Sequence, residues 1–203
     1  MSTIPFLFTP ETHTFTTPDG VRLSVTQILA KNGICDFSFV DQETRLYSMD
    51  RGSKVHWLTE LEDGGGLNYR TVPKWLRGFR KGWNTWKRRS SFQINTIEER
   101  FVSRFGYAGI IDRTGMFPPS VFMGWGTSAV VDIKSGVVAD YVRYQLCAYA
   151  VWAAGDNPKR AEYIRRIALR LNADGNYVVR EFPCCSFSVD WARFMQWTRK
   201  ANQ

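Results

Sequence analysis

Two apolar runs within residues 106–134, each leading into a carboxylate, most constrain how this chain can fold. The first run ends at Asp112, and the second ends in Asp132-Ile133-Lys134 after a turn rich in glycine and proline. Alternation along a strand places side chains i and i+2 on one face. We therefore expect Asp132 and Lys134 to project together while Ile133 turns into the core. If the two strands pair, Asp112 at the end of its strand meets them.

This grouping of charges has a definite chemical use. Two carboxylates can bind a hard divalent cation through oxygen, and an adjacent ammonium can orient a water molecule or stabilise developing negative charge. Together they equip a protein for metal-assisted phosphodiester hydrolysis. The alternative is a solvated ion pair of little consequence, because Asp-x-Lys at a strand end is common. The rest of the chain has to decide between the two interpretations.

Composition limits the class of protein. The chain has 203 residues, of which 44% are hydrophobic and 15% aromatic, so it can bury a sizeable core as a single domain. Lysine and arginine number 27 against 19 acidic residues, and the net charge of +8 suits a polyanionic partner. No apolar run approaches the length of a membrane span, and the N-terminus lacks a secretory pattern. We therefore expect a cytoplasmic protein without a membrane partner.

Periodicity predicts one α/β domain over residues 1–203, with a mixed central sheet flanked by helices. Residues 1–90 form its helical N-terminal part, 91–182 its sheet core and 183–203 its C-terminal helix. In helix 42–62 we expect four core contacts, namely Leu46, Met49, Val55 and Leu58. The other predicted elements are a hairpin over 13–24, a short helix capped by Ser24 and ended by Asn32-Gly33, a helix over 73–89, strands near 92–103, 105–112 and 127–134, a helix over 138–153, a hairpin over 164–182 and a helix over 187–200.

Two helices carry further candidate side chains. His56 and Glu60 are four residues apart and share a helical face, and Gly52, one turn earlier, suggests close approach of a backbone or a ligand. Gln145 and Tyr149 are also four apart, with Gln145 suited to hydrogen-bond a phosphate or a metal-bound water. Each residue also has a structural interpretation, as a satisfied helix histidine or as a tyrosine at the core edge.

A basic tract lies between residues 64 and 97, which contain no acidic residue. Aromatic residues interleave with its cations, so the tract can neutralise phosphates and stack on unpaired bases, or form an amphipathic helix with solvated cations. We expect most of its tryptophans to be buried and several of its cations to bind nucleic acid. The candidate nucleic-acid-binding residues are Lys74, Arg77, Arg80, Lys81, Lys87, Arg88 and Arg89.

Five segments in order resemble the PD-(D/E)XK nuclease superfamily, in its RecB-like, phage-type exonuclease branch. The matching segments are His13…Asp19-Gly20-Val21…Ser24-Val25-Thr26-Gln27-Ile28-Leu29, Arg51-Gly52-Ser53-Lys54-Val55-His56, Gly106–Asp112, Asp132-Ile133-Lys134-Ser135-Gly136 and Gln145-Leu146-Cys147-Ala148-Tyr149. The resemblance covers most of the chain and implies a restriction-endonuclease-like core.

The resemblance also implies roles for single residues. His56, Asp112 and Asp132 would bind metal together with the backbone carbonyl of Ile133, and Lys134 would position the nucleophilic water. Gln145 and Tyr149 would support the site and the DNA strand. Mg²⁺ or Mn²⁺ is the expected ion, since a histidine beside carboxylates tolerates both. Glu60, Glu98 and Glu99 are further carboxylates that can approach this site.

Two cofactors are not expected. Some relatives carry an iron–sulfur cluster held by one early and three late cysteines, whereas Cys184 and Cys185 are the only late pair to set beside Cys35. Cys147 completes the four cysteines, which match no zinc pattern and are expected to be reduced. No nucleotide-binding Gly-x-x-x-x-Gly-Lys-Ser/Thr loop is present.

The function expected from these residues is metal-dependent DNA hydrolysis. By family analogy, exonuclease action that leaves 5′-phosphates is favoured, in phage replication, recombination or repair. The alternatives are a structure-specific endonuclease of the junction-resolvase type and a non-catalytic nucleic-acid-binding module. DNA is the expected partner, and a homo-oligomer or a recombination-protein partner stays open.

Overall fold

The computed structural model describes residues 4–35, 40–119 and 126–203, and these residues form eight strands in two sheets. The strands of the described residues are β1 (Leu7–Thr9), β2 (Thr14–Thr17), β3 (Gly20–Arg22), β4 (Gln93–Ser103), β5 (Tyr107–Phe117), β6 (Thr127–Lys134), β7 (Arg165–Leu171) and β8 (Tyr177–Phe182). The predicted hairpins are confirmed as β2–β3 and β7–β8. Part of the predicted turn between the two carboxylate runs, residues 120–125, lies outside the described residues.

The larger sheet is mixed, which fixes its class. Its strand order is β4-β5-β6-β7-β8, and all neighbours are antiparallel except the parallel pair β6–β7. A parallel pair requires a crossover, and the chain makes it through helical residues between β6 and β7. The predicted α/β class, with a mixed sheet flanked by helices, is confirmed.

Six helices in the described residues surround this sheet. They are α1 (Val25–Lys31), α2 (Gln42–Asp63), α3 (Arg77–Ser90), α4 (Val142–Ala153), α5 (Pro158–Ala161) and α6 (Phe187–Ala201). Local sequence explains several ends: Ser24 and Gln27 form a reciprocal capping box at α1, and α2 ends where Gly64 caps it. A short 3₁₀ turn over Lys74–Leu76 precedes α3, so the predicted helix over 73–89 is divided.

Alternate residues of β6 enter two separate cores. Val130 packs with Leu146 of α4 and Phe194 of α6. Val131 and Ile133 pack in the other core, which includes residues of α2 and α3. The helices therefore cover both faces of β6, and Ile133 is buried as predicted.

Three expectations about element ends and faces are wrong. The strand that was expected to stop at Asp112 continues to Phe117, because the charged Arg113 is fully buried through ion pairs and does not end the strand. Leu46 and Met49 are 58% and 59% exposed, since the first turns of α2 extend beyond the core that buries Val55 and Leu58.

The third error concerns the start of α4. The helix begins at Val142 rather than near residue 138. Arg180 of β8 donates to the carbonyl of Val138 and to the carboxylate of Asp140, which holds this segment against the neighbouring hairpin.

Membrane insertion finds no support in the helices. Among the described residues, none of them combines the length and the apolarity that crossing a bilayer requires.

Candidate active site

The Asp-x-Lys pair lies at the end of β6 with the predicted geometry. Lys134 Nζ donates to Asp132 Oδ1 at 3.0 Å and lies 2.8 Å from Oδ2, while Ile133 between them is buried in the core. Asp132 is almost fully buried and the side chain of Lys134 is about a quarter exposed. The ammonium therefore stands between a buried carboxylate and the solvent side of the site.

Asp112 meets this pair from the neighbouring strand. The backbone N–H of Ile133 donates to Asp112 Oδ2 at 2.6 Å, beyond the last paired residues of β5 and β6. The N–H and C=O groups of one strand residue point the same way, so the Ile133 carbonyl is expected on the side of Asp112. His56 reaches the same carboxylate from α2, with Nδ1 at 3.5 Å from Asp112 Oδ2.

Glu98 of β4 completes a group that could hold a metal ion. Its Oε1 lies 3.7 Å from His56 Nδ1, and ligand atoms of His56, Glu98 and Asp112 all lie within 4.8 Å of one another. Glu98 has a left-handed backbone with φ of 47°, which is uncommon for a residue other than glycine. Glu60, the predicted helical partner of His56, is exposed on α2 and is not in this group.

Arg113 holds the Glu98 carboxylate in place through an ion pair. Its Nη1 donates to Glu98 Oε1 at 3.1 Å, and its Nε donates to Asp63 Oδ2 at 2.7 Å. Asp63 also accepts from Trp83 Nε1 at 3.0 Å and from Lys87. A fully buried guanidinium thus connects the end of α2 to the carboxylate group, an arrangement that nothing in the local sequence indicates.

Gln145 and Tyr149 of α4 form a further part of the site, next to Asp132. Gln145 Nε2 donates to Asp132 Oδ1 at 3.1 Å and to the Tyr149 hydroxyl at 2.9 Å. Gln145 Oε1 is buried and accepts no hydrogen bond from the described residues. A bound water or substrate group would satisfy this acceptor.

One cavity of about 240 Å³ unites these side chains. Its lining includes His56, Glu98, Asp112, Asp132, Lys134, Gln145 and Tyr149. His13, Ser24 and Thr26 of the N-terminal segment also line it, although sequence reasoning assigned them no role. All three residues belong to the N-terminal segment that resembles the nuclease superfamily, and this resemblance is the sequence signal that could have identified them as residues of the site.

The crowding of acids and bases shifts several pKa values. Burial lowers the pKa of His56, but the charges of Asp112 and Glu98 outweigh it and raise the pKa to about 9. Burial, opposed by His56 and reinforced by Asp132, raises the pKa of Asp112 to about 7. For Lys134, burial is outweighed by Asp132 and Asp112, so its pKa rises and the ammonium stays charged. The carboxylates of the site therefore favour positive charge close to them, which a bound cation would also supply.

The donor set fits a divalent cation. Imidazole and carboxylate ligands accommodate Mn²⁺, and the carboxylates suit Mg²⁺. His56, Glu98 and Asp112 are close enough to share one ion, whereas Asp132 is held by Lys134 and Gln145. The predicted ligands His56 and Asp112 are thus brought together, and Glu98 joins them more closely than Asp132 does.

The candidate DNA-binding cations of the basic tract are divided between paired and exposed positions. Arg80 is paired with Glu62 and Lys87 with Asp63, so both charges are partly used within the protein. The lining of the cavity includes none of the seven predicted cations. The exposed members are Lys74, Arg77, Lys81, Arg88 and Arg89. Trp83 and Trp86 are buried as expected, and Trp75 is 44% exposed.

The remaining candidates lie outside the site. Glu99 accepts from Thr96 at 2.7 Å and lines a different cavity. None of the four cysteines forms a disulfide: Cys147 is buried, Cys35 is partly buried, and Cys184 and Cys185 are exposed.

Comparison of the chain with protein-family models and with curated proteins finds no match.

Proposed function

We propose that this protein is a metal-dependent DNA nuclease. The observation that carries the proposal is the convergence of seven polar side chains from β4, β5, β6, α2 and α4 on one cavity. Three of them form a group suited to a divalent cation, and a buried Asp-Lys pair lies beside it. The net charge of +8 favours a polyanionic substrate.

His56, Glu98 and Asp112 would hold Mg²⁺ or Mn²⁺, with Asp132 and the Ile133 carbonyl as further oxygen donors. When bound, the cation supplies Lewis acidity towards the scissile phosphate and acidifies a coordinated water. Because Lys134 keeps its charge, it acts as a hydrogen-bond donor that orients water and stabilises negative charge on the phosphate, not as a general base.

Gln145 has a matching role at the attacking water. Its amide nitrogen is engaged by Asp132 and Tyr149, which leaves Oε1 as a fixed acceptor. An acceptor in this position can hold one proton of a water molecule while Lys134 donates to its oxygen or to the phosphate. Attack of that water on phosphorus breaks the bond to the 3′-oxygen. The water gives up a proton to solvent and the departing 3′-oxygen takes one from solvent, which leaves a 5′-phosphate and a 3′-hydroxyl.

We further propose that the sheet and its helices form a PD-(D/E)XK restriction-endonuclease-like core. The order of the five resembling segments supports this, as does the crossover through α4 between the parallel strands β6 and β7. Exonuclease action on DNA ends is the favoured mode by analogy with the resembling branch.

The test is cleavage of labelled linear DNA by the purified protein in Mg²⁺ or Mn²⁺. Asp132→Asn and Lys134→Met should each lower kcat by about 10²- to 10³-fold, the loss expected when one preorganised electrostatic group is removed. Glu60→Gln is the matched control, because it removes an exposed carboxylate of α2 outside the cavity. Its cleavage rate should equal that of the wild type.

Cleavage assays with circular and branched DNA distinguish between exonuclease and endonuclease action. Degradation of linear DNA with circles left intact supports an exonuclease, and cutting confined to branched junctions supports the resolvase alternative. DNA binding without turnover in either metal contradicts the nuclease proposal and favours a binding module. Cleavage that survives both Asp132→Asn and Lys134→Met also contradicts the assigned site.

A further inference from the structure

Arg51 of α2 occupies an unusual position beside the proposed site. Its Nε lies 3.4 Å from the hydroxyl of Ser135, the residue that follows Lys134. A methyl group built on Gly136 would lie 3.4 Å from Arg51 Nη2. The guanidinium therefore rests against the loop that leaves the Asp-x-Lys strand.

The charge of Arg51 is not used inside the described protein. Among the described residues, no carboxylate oxygen lies within 4.0 Å of its nitrogens, and its other contact is the Tyr47 ring at 5.6 Å. By contrast, Arg80 and Arg113 are held by carboxylates. Arg51 is half-buried, so its orientation is restrained while its donors stay available.

We propose that Arg51 binds a phosphate of the DNA strand next to the scissile phosphate, where the strand passes the loop at Ser135. This inference rests on the proposed nuclease function and adds a substrate contact to it. A guanidinium presents a planar set of donors that matches phosphate oxygens, which an ammonium cannot reproduce. The phosphate contact therefore strengthens binding of the strand beside Lys134 in the ground state and the transition state alike.

The small residues next to Arg51 are consistent with a contact between its guanidinium and a DNA phosphate. A methyl group on Gly52 would meet only Ser135 Oγ, at 3.9 Å, so the crossing of α2 over the loop is open rather than tightly packed. Tyr47, which is 63% exposed, flanks the guanidinium on its other side. The surface between Tyr47 and Ser135 thus offers one cation and one aromatic face to a passing strand.

The experiment compares wild type, Arg51→Gln and Arg51→Lys, with Arg45→Gln as the matched control. Arg45 is an exposed arginine of the same helix, and among the described residues it is Arg51 and not Arg45 that contacts Ser135. Binding of a single-stranded oligonucleotide is measured with Ca²⁺ in place of the catalytic ion, across about 50 to 200 mM salt. Arg51→Gln should weaken binding about tenfold, as loss of a charge-assisted contact predicts.

The salt slope identifies the contact as a phosphate contact. The slope of log affinity against log salt is negative, and its magnitude should decrease by about 1 in Arg51→Gln and stay unchanged in Arg45→Gln. Arg51→Lys should keep the slope and lose part of the affinity, because it retains the charge without the planar donor set. In cleavage assays, Arg51→Gln should raise KM with kcat and Mn²⁺ affinity close to wild type.

The outcomes separate this inference from the function on which it rests. An unchanged slope and KM in Arg51→Gln overturn the phosphate contact while leaving the nuclease intact. A lower melting temperature together with lost Mn²⁺ affinity also overturns it, since a structural role would then explain the variant. A wild type that binds DNA but cleaves none overturns the nuclease, and the slope still decides whether Arg51 contacts phosphate.

Discussion

At the scale of single residues, Glu98 shows how a backbone conformation can shape a cation site. It lies on β4 between residues paired with Arg113 and Ile111, which brings it across from Asp112. Its left-handed φ of 47° carries a cost of about 1–3 kcal/mol, and such conformations cluster at functional sites. The hydrogen bond from Arg113 helps to offset that cost and orients the carboxylate towards His56.

The first prediction concerns this carboxylate. Glu98→Gln should lower Mn²⁺ affinity by about 10- to 100-fold, because it removes one charge from the group formed with His56 and Asp112. Glu99→Gln is the matched control, since the adjacent carboxylate accepts from Thr96 and lines another cavity. Calorimetric titration with Mn²⁺ measures both variants. Equal affinities for the two variants would exclude Glu98 as a ligand.

The pH dependence of metal binding follows from the same residues. The pKa of His56 is raised to about 9 and that of Asp112 to about 7, so at neutral pH His56 is almost fully protonated and Asp112 is partly protonated. A cation needs the deprotonated forms and displaces these protons. Mn²⁺ affinity should therefore increase from pH 6 to pH 9, with proton release detected by titration in buffers of different ionisation enthalpy. An affinity that is flat over this range would contradict the assigned ligands.

At the scale of elements, the glycines of helices α2 and α3 differ in how closely other parts of the protein pack against them. Gly78 and Gly82 of α3 face the turn of the β7–β8 hairpin, and a methyl group on Gly78 would lie 1.6 Å from the carbonyl oxygen of Ala173. Gly52 of α2 has room for a methyl group, so no backbone among the described residues approaches it closely, and the approach of a ligand stays a prediction. Of these three helix glycines, the two of α3 are needed for contact with the turn of the β7–β8 hairpin.

These glycines give a paired stability prediction. Gly78→Ala should lower the free energy of unfolding by about 1–3 kcal/mol or more, because the backbone of the turn must move. Gly52→Ala should raise it by about 0.5–1 kcal/mol, since alanine favours an interior helix position. Urea denaturation of both variants measures the difference. Equal stability changes would show that α3 does not pack on the turn in this way.

Sequence patterns predicted elements better than the faces and ends of elements. Strand alternation was sufficient to predict that Asp132 and Lys134 lie on one face, because this depends only on the local geometry of the strand. The continuation of β5 past Asp112 was not predictable locally, since Arg113 is buried by Asp63, which lies 50 residues away. The exposed Leu46 likewise depends on how far α2 extends beyond the sheet.

At the scale of the whole molecule, some cations of the basic tract form ion pairs within the protein, whereas others are exposed to solvent. Some cations of the basic tract bind carboxylates at the end of α2, as Arg80 does with Glu62. Others, including Arg88 and Arg89, are exposed at the end of α3. Within the described part of this tract, the second group has more of its charge available for a nucleic acid.

This division predicts different effects of neutralising the two groups. Arg88→Gln combined with Arg89→Gln should reduce the magnitude of the slope of log DNA affinity against log salt by up to about 2, with little change in the free energy of unfolding. Arg80→Gln should instead reduce stability, because Glu62 loses its partner, and should change the slope less. Fluorescence anisotropy at several salt concentrations and thermal melting test the pair. A slope unaffected by the double variant would remove the end of α3 from the DNA interface.

The candidate site is likewise a property of the whole chain. Its predicted members came from separate motifs, and their common cavity follows from strand pairing and from the α4 crossover. The sequence left open which of Glu60, Glu98 and Glu99 approaches His56. That choice depends on strand register and on a left-handed backbone, neither of which a local pattern encodes.

The most direct test of the account is a crystal soaked with Mn²⁺, with the ion located by its anomalous scattering. The account predicts a peak within coordination distance of His56 Nδ1 and of carboxylate oxygens of Asp112 and Glu98, beside the Asp132–Lys134 pair. A folded protein with no peak in this cavity at millimolar Mn²⁺, or with its ion bound elsewhere, would contradict the central claim.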